Sequence, residues 1–103
     1  MNKSTLKVPQ QAISDFCHRN HIRKISLFGS VLREDFAESS DVDVLVEFDP
    51  MAEIGLFDMV RMERELEVFF PGHKVDLRTP EDLSRYFRNQ VLNTAEIQYE
   101  SRG

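Results

Sequence analysis

Residues 41–48, Asp-Val-Asp-Val-Leu-Val-Glu-Phe, constrain the fold more than any other part of the chain. Apolar side chains alternate along this segment, as they do in a half-buried β-strand: Val42, Val44, Val46 and Phe48. Asp49-Pro50 follows and ends the strand. The segment therefore predicts a strand with one apolar face and one face that carries acidic side chains.

The same reasoning predicts two further strands and several helices around this one. Residues 24–28 and 73–78 alternate as strands, whereas residues 9–20, 30–36, 55–70 and about 80–95 are typical of helices. The residues from about Glu96 onward are expected to fray. The order helix, strand, short helix, strand, helix, strand, helix predicts an α+β domain with a small sheet of about three strands flanked by helices.

Helical spacing also predicts which side chains enter the core. Cys17 lies on the apolar face of the first helix and is expected to be buried. Tyr86 lies on the apolar stripe of the last helix and is expected to pack against the sheet. The side chains predicted to face inward on the helix at 55–70 are Leu56, Met59, Val60, Leu66, Phe69 and Phe70. Those predicted to do so on the last helix are Leu83, Tyr86, Phe87 and Val91.

Length, charge and composition exclude several classes of protein. A chain of 103 residues is one domain in size. A single cysteine excludes an intramolecular disulfide framework. No apolar run is as long as a membrane span, and the first residues lack the apolar stretch of a signal peptide. These features together predict a cytoplasmic protein. The net charge of −5 argues against a broad nucleic-acid surface and against nucleic acid as the substrate.

Two aspartates stand where an apolar strand begins. Residues two apart point to the same face of a strand, so Asp41 and Asp43 project side by side and repel one another. A divalent cation such as Mg²⁺ relieves that repulsion. Asp76 would complete a cluster of three carboxylates if the third strand neighbours the second. Alternatively, Asp41 caps a turn and Asp76 is an exposed edge carboxylate paired with Lys74 or Arg78.

Gly29-Ser30 directly follows the first predicted strand. Glycine permits a sharp turn and lets a phosphate approach the main chain, where backbone N–H groups can bind it. The Ser30 hydroxyl adds a donor. By itself this dipeptide is also compatible with an ordinary turn at a strand end. Opposite a carboxylate cluster, however, it indicates a metal-dependent phosphoryl or nucleotidyl transfer site.

These motifs resemble the polymerase-beta-type nucleotidyltransferase superfamily. Gly29-Ser30, ten intervening residues and Asp41-Val42-Asp43 are similar to its signature, and Val75-Asp76-Leu77 is similar to the segment with its third carboxylate. The segment 28–37, with two serines before the aspartate pair, resembles the minimal nucleotidyltransferase (MNT) branch. The resemblance implies a single domain over 1–103, with a small mixed sheet, a motif core at 24–78 and a C-terminal helix at about 80–95.

The resemblance also implies an activity and a partner. MNT proteins are commonly encoded beside a HEPN-domain ribonuclease toxin; as antitoxins, they transfer AMP from ATP to one of its tyrosine hydroxyls. By resemblance, Asp41 and Asp43 hold two Mg²⁺ ions, and Asp76 binds the catalytic ion and helps to deprotonate the acceptor. These three residues are the expected catalytic and metal-binding set.

The nucleotide-binding residues implied by the resemblance are Gly29, Ser30 and Arg33. Gly29 and Ser30 would hold the β- and γ-phosphates of ATP, and Arg33 would lie near the phosphates or the partner. From a length of 103 residues we expect no additional substrate-binding domain, and we therefore expect the acceptor to be part of another macromolecule.

Three alternatives remain open at this point. The protein could neutralise its partner by masking it without catalysis. It could modify a small molecule with the help of a separate substrate subunit. An autorepressor role is a weaker alternative, because the acidic charge and the lack of a helix-turn-helix pattern count against it.

Overall fold

The computed structural model describes residues 8–29 and 41–101. The elements, in chain order, are α1 (Gln10–Arg19), β1 (Ile22–Phe28), β2 (Val42–Phe48), α2 (Leu56–Glu67), β3 (Val75–Arg78), a short 3₁₀ helix (Pro80–Asp82), α3 (Arg85–Thr94) and β4 (Glu96–Glu100). The short helix predicted at 30–36 lies outside the described residues. None of the described helices is long and apolar enough to span a membrane.

The described strands form one mixed sheet in the order β3-β2-β1-β4. β1 is antiparallel to both β2 and β4, whereas β2 and β3 are parallel. Parallel neighbours need a crossover connection, which α2 supplies here. The predicted α+β architecture with a mixed sheet is confirmed.

The prediction of about three strands was one strand short, because the segment from Glu96 does not fray. It forms β4, in which Tyr99 is the register partner of Ile25 and Ile97 that of Ser26. Tyr99 also packs against the core. The segment Glu-Ile-Gln-Tyr-Glu alternates polar and apolar residues, as a strand does, and without it β1 would expose a row of unpaired backbone groups at this edge. The tertiary pairing therefore decides the structure of this segment.

The core lies between one face of the sheet and helices α1 and α2. On β2, Val42, Val44 and Val46 are completely buried, as their alternation predicts. Cys17 on α1 is also completely buried, which confirms its assignment to the core. The helices contribute the remaining large buried side chains of this layer: Ile13 and Phe16 from α1, Met62 and Leu66 from α2, and Phe70 just beyond it.

The inward face predicted for α2 is partly wrong. Leu66 and Phe70 are buried and Met59 and Phe69 contact the core, but Leu56 is 76% exposed and Val60 is 42% exposed. The helix contacts a single layer of sheet through a narrow stripe, so only part of its apolar surface reaches the core.

The last helix begins later than predicted. Thr79 and Pro80 start a 3₁₀ helix, which Asp82 caps by accepting hydrogen bonds from the Thr79 N–H at 3.0 Å and hydroxyl at 3.1 Å. The backbone then becomes extended at Leu83, and α3 starts at Arg85 with Ser84 as its N-cap. The Pro-Glu-Asp sequence thus initiates a turn that is not continued as an α-helix.

The prediction that Tyr86 and Phe87 pack against the sheet is also wrong. Tyr86 is 79% exposed and Phe87 is 60% exposed, and none of the residues of α3 is fully buried. Because α3 starts after the extended segment at Leu83, its stripe is turned relative to a helix running continuously from Pro80. The aromatic side chains therefore face solvent in this chain.

Candidate active site

The candidate site begins at the end of β1, where Gly29 approaches Asp43. Phe28 is the register partner of Asp43, and Gly29 follows it with φ +73°, a conformation that favours glycine. A Cβ at Gly29 would overlap the Oδ2 atom of Asp43 and lie 3.2 Å from its Cγ. A side chain at this position would therefore displace the carboxylate, which explains why glycine is needed here.

Ser30 and Arg33 lie outside the described residues, so their proposed contacts with phosphates or with a partner stay predictions. Gly29 itself lies at the predicted place, between the end of β1 and the aspartate pair. Its main chain passes directly beside the Asp43 side chain. This arrangement leaves the backbone accessible to a ligand held near that carboxylate, because Gly29 has no side chain to intervene.

Asp43 and Asp76 lie side by side on neighbouring strands. They are register partners in the parallel pairing of β2 and β3, and both side chains are partly exposed. Neighbouring strands are about 4.8 Å apart, and register partners point to the same face of a sheet. The third strand therefore neighbours the second, as is required for Asp76 to join the other two aspartates.

Asp41 directly precedes β2 and is exposed. The N–H of Val42 donates to the carbonyl of Lys74 at 2.8 Å, so β2 and the chain before β3 are already joined at this level. The three aspartates thus lie at the same end of the neighbouring strands β2 and β3. Their roles as metal ligands and catalytic groups stay predictions.

Arg78 forms an ion pair with Asp76. Both Nη2 and Nε of Arg78 donate to the same oxygen, Oδ2 of Asp76, at 3.2 Å and 3.3 Å. The hydrogen bond to Asp76 and its negative charge, followed by the charges of Asp82 and Asp43, raise the pKa of Arg78. This pairing agrees with the alternative in which Asp76 is an exposed edge carboxylate paired with Lys74 or Arg78, and it does not exclude a catalytic role for the carboxylate.

The carboxylates of Asp41, Asp43 and Asp76, at this end of β2 and β3, have the donor chemistry that suits Mg²⁺, although they do not surround a metal position completely. Across residues 8–29 and 41–101, no three His, Cys, Asp or Glu side chains already converge on a position for a metal ion. Carboxylate oxygens are nevertheless the donors that Mg²⁺ prefers, and it commonly takes one or two of them together with substrate phosphates. Asp43 and Asp76 meet that requirement in donor chemistry, and their register pairing places them on one face of the sheet.

Two glutamates of α2 hold β3 in place, a role that the sequence pattern did not reveal. Oε2 of Glu63 accepts the Leu77 N–H at 2.9 Å, and Oε2 of Glu67 accepts the Val75 N–H at 3.5 Å. These amides flank Asp76 on the edge strand. Glu63 and Glu67 are four residues apart and therefore lie on one face of α2, but this spacing does not show that their partners are backbone amides.

Similarity to known proteins identifies the family. The chain matches the nucleotidyltransferase domain family over residues 10–98. A candidate protein adenylyltransferase of Methanocaldococcus jannaschii is 35% identical over 77 residues, which cover 75% of this chain and 80% of that protein. The protein adenylyltransferase MntA of Thermococcus cleftensis is 35% identical over 71 residues, which cover 69% of each chain.

Two solved structures are also similar to this chain. The structure of a candidate minimal nucleotidyltransferase matches with a TM-score of 0.67 and 34% identity, covering 84% of this chain and 85% of that chain. A chain in the complex of a tri-AMPylated Shewanella oneidensis HEPN toxin with an MNT antitoxin matches with a TM-score of 0.62, covering 90% of this chain and 71% of that chain. The latter match has 18% identity and bears on the fold alone.

Proposed function

The chain belongs to the nucleotidyltransferase domain family and to its minimal branch, and we propose that it transfers AMP from ATP to a tyrosine hydroxyl of a HEPN ribonuclease toxin. In this role it is the antitoxin of the pair. Its relatives support transfer to a protein, because two of them are named as protein adenylyltransferases. A dependence on ATP agrees with the cytoplasmic location expected from the sequence.

One observation carries the proposal: Asp43 and Asp76 are register partners beside the glycine that ends β1. Two carboxylates on one face supply the negative charge that holds the metal ion of a metal-bound triphosphate. The bare main chain at Gly29 gives the phosphates room to approach. An antitoxin that only masks its partner would need neither the pair of carboxylates nor the glycine beside them.

The reaction can be written with these residues in defined roles. The tyrosine oxygen forms a bond to the α-phosphorus of ATP, the bond from that phosphorus to the bridging oxygen breaks, and pyrophosphate leaves. Asp76 accepts the proton of the tyrosine hydroxyl. Mg²⁺, when bound, supplies charge neutralisation, and Asp41, Asp43 and Asp76 would hold it. The protein contributes mainly positioning and electrostatics.

The test is the intact mass of the toxin after co-expression with this chain. The toxin is taken as the HEPN-domain product of the neighbouring gene. We expect whole adenylyl increments with the natural chain and none with Asp43→Asn. Glu47→Gln is the matched control, because Glu47 lies on the same strand, away from the site, with its carboxylate 3.8 Å from Lys24.

Two results would overturn the proposal. Full modification by the Asp43→Asn variant, with circular dichroism showing that it is folded, would remove the carboxylate from the mechanism. An unmodified toxin that still co-purifies with the natural chain would favour masking. A screen of sugars, aminoglycosides and nucleotides as acceptors, with ATP as donor, examines the small-molecule alternative.

A further inference from the structure

Arg78 shares a strand face with the candidate metal ligands. It lies two residues after Asp76 on β3, and its register partner on β2 is the buried Leu45, so the sheet fixes its backbone. Side chains two apart on a strand point the same way. The guanidinium therefore reaches back along the face that carries Asp43 and Asp76.

The ion pair engages one oxygen of Asp76 with two donors. Nη2 and Nε of Arg78 both donate to Oδ2, at 3.2 Å and 3.3 Å, while the side chains of Arg78 and Asp76 are 46% and 38% exposed. Both donors hold the same oxygen, Oδ2, towards the guanidinium. Because the pair is partly exposed, the guanidinium can move into solvent without leaving a buried charge.

A divalent cation would need the carboxylate that Arg78 holds. We propose that Arg78 is a positioning residue that binds Asp76 in the metal-free enzyme and releases it when a divalent cation enters the site. This inference rests on the metal site of the proposed function.

The proposal has a direct thermodynamic consequence. A cation that takes Oδ2 of Asp76 competes with Arg78 for that oxygen, and the guanidinium charge also opposes it, so Arg78 lowers the affinity of the free enzyme for the metal. At the same time it neutralises the repulsion between Asp43 and Asp76 before the metal arrives. Arg78 therefore stabilises the metal-free site, and half-occupancy of the site requires a higher concentration of the cation.

The test measures binding of Mn²⁺ to the full chain without nucleotide, from the electron paramagnetic resonance signal of the free ion. We expect Arg78→Gln to bind Mn²⁺ about two- to fivefold more tightly than the natural chain, the range expected for a partly exposed ion pair. Arg64→Gln is the matched control, because it removes the same charge from the outer face of α2. It should leave the dissociation constant unchanged.

A double-mutant comparison separates the ion pair from general charge effects. In an Asp76→Asn background, replacing Arg78 should no longer tighten Mn²⁺ binding, because the contact through which it acts is gone. Arg78→Lys keeps the charge but loses the two-donor contact, and it should lie between the natural chain and Arg78→Gln. If circular dichroism shows that Arg78→Gln does not fold, the Mn²⁺ affinity of Arg78→Lys is compared with that of the natural chain instead.

Several outcomes would overturn the inference. Equal or weaker Mn²⁺ binding by Arg78→Gln would do so, and so would an effect that persists in the Asp76→Asn background. If neither the natural chain nor Arg78→Gln binds Mn²⁺, both this inference and the metal site fail. Tighter binding by Arg78→Gln, combined with an unmodified toxin, would support Arg78 while overturning the proposed acceptor.

Discussion

Asp43 on β2 and Asp76 on β3 are register partners in a parallel pair of strands, although α2 separates them in the sequence. Parallel neighbours cannot be joined by a tight turn, so the crossover through α2 is what brings the two carboxylates together. The candidate site therefore depends on the packing of α2 as well as on the two strands. Changes in α2 or β3 can alter the site without touching either aspartate.

Gly29→Ala should impair transfer more than it impairs folding. The added Cβ would displace the Asp43 carboxylate, and a misplacement of about 1 Å can cost about a hundredfold in rate. Transfer of labelled AMP and urea unfolding measure the two effects. Gly72→Ala is the control: Gly72 also has a positive φ, +85°, but no atom lies within 4 Å of the place that a Cβ would occupy there. Equal rates for both variants would contradict the prediction.

Glu63→Ala should loosen the edge strand that carries Asp76. It removes the acceptor of the Leu77 N–H at 2.9 Å, and leaving such a donor unsatisfied costs about 1–3 kcal/mol when it is buried. We expect a loss near the lower end of that range, because the bond is partly exposed to water. Urea unfolding and hydrogen exchange of the Leu77 amide measure it. Glu53→Ala, in an exposed loop position, should leave both unchanged.

Phe16→Ala and Phe87→Ala should differ sharply in their effect on stability. Phe16 is fully buried and packs edge-on against Phe69 with 6.0 Å between ring centroids, so its truncation should cost about 3–5 kcal/mol. Phe87 is 60% exposed, and its truncation should change the free energy of unfolding by less than about 1 kcal/mol. Similar costs for the two variants would mean that α3 packs differently in solution.

The Cys17 thiol should be protonated and unreactive in the folded protein. Burial raises its pKa from 9.0 to about 12, so the folded state keeps a proton that the unfolded state loses between these values. Its contribution to stability is complete below about pH 9 and is lost as the pH rises towards 12. The free energy of unfolding should therefore fall over that range, and it should fall less in Cys17→Ala.

Thiol labelling provides a second measurement for Cys17. A disulfide reagent such as DTNB should react slowly with the native chain at pH 8, and with one thiol per chain in guanidinium chloride, because the sequence has a single cysteine. Rapid labelling of the native protein would show that the thiol is accessible and that its raised pKa is wrong.

Local patterns identified most of the fold, but not the contacts that depend on distant partners. The alternation around Val44 gave β2, and the helical spacing around Phe16 gave α1. β4 was missed although Ile97 and Tyr99 alternate with polar residues, because the segment was expected to fray and its pairing with β1 was not considered. The exposure of Tyr86 and Phe87 was missed because it depends on where α3 starts after the 3₁₀ helix.

The candidate site was predictable to a different extent for each residue. Gly29 and Asp43 follow from motif spacing, and the place of Asp76 required only that β3 should neighbour β2. Arg78 entered the prediction only as one of two alternative ion-pair partners of Asp76, beside Lys74, because both flank that residue at a distance of two. The role of Glu63 was not foreseen, because a side chain that binds the backbone of a distant strand leaves no periodic pattern.

The hydrogen bonds from β3 to Glu63 and Glu67 also cover the backbone at one edge of the sheet. β3 is at one end of the sheet, and an edge strand with unpaired N–H groups can template pairing with another molecule. Here the N–H groups of Val75 and Leu77 already donate to those carboxylates. An incoming strand would have to displace two charged side chains, so the edge beside Asp76 is protected from intermolecular β-pairing.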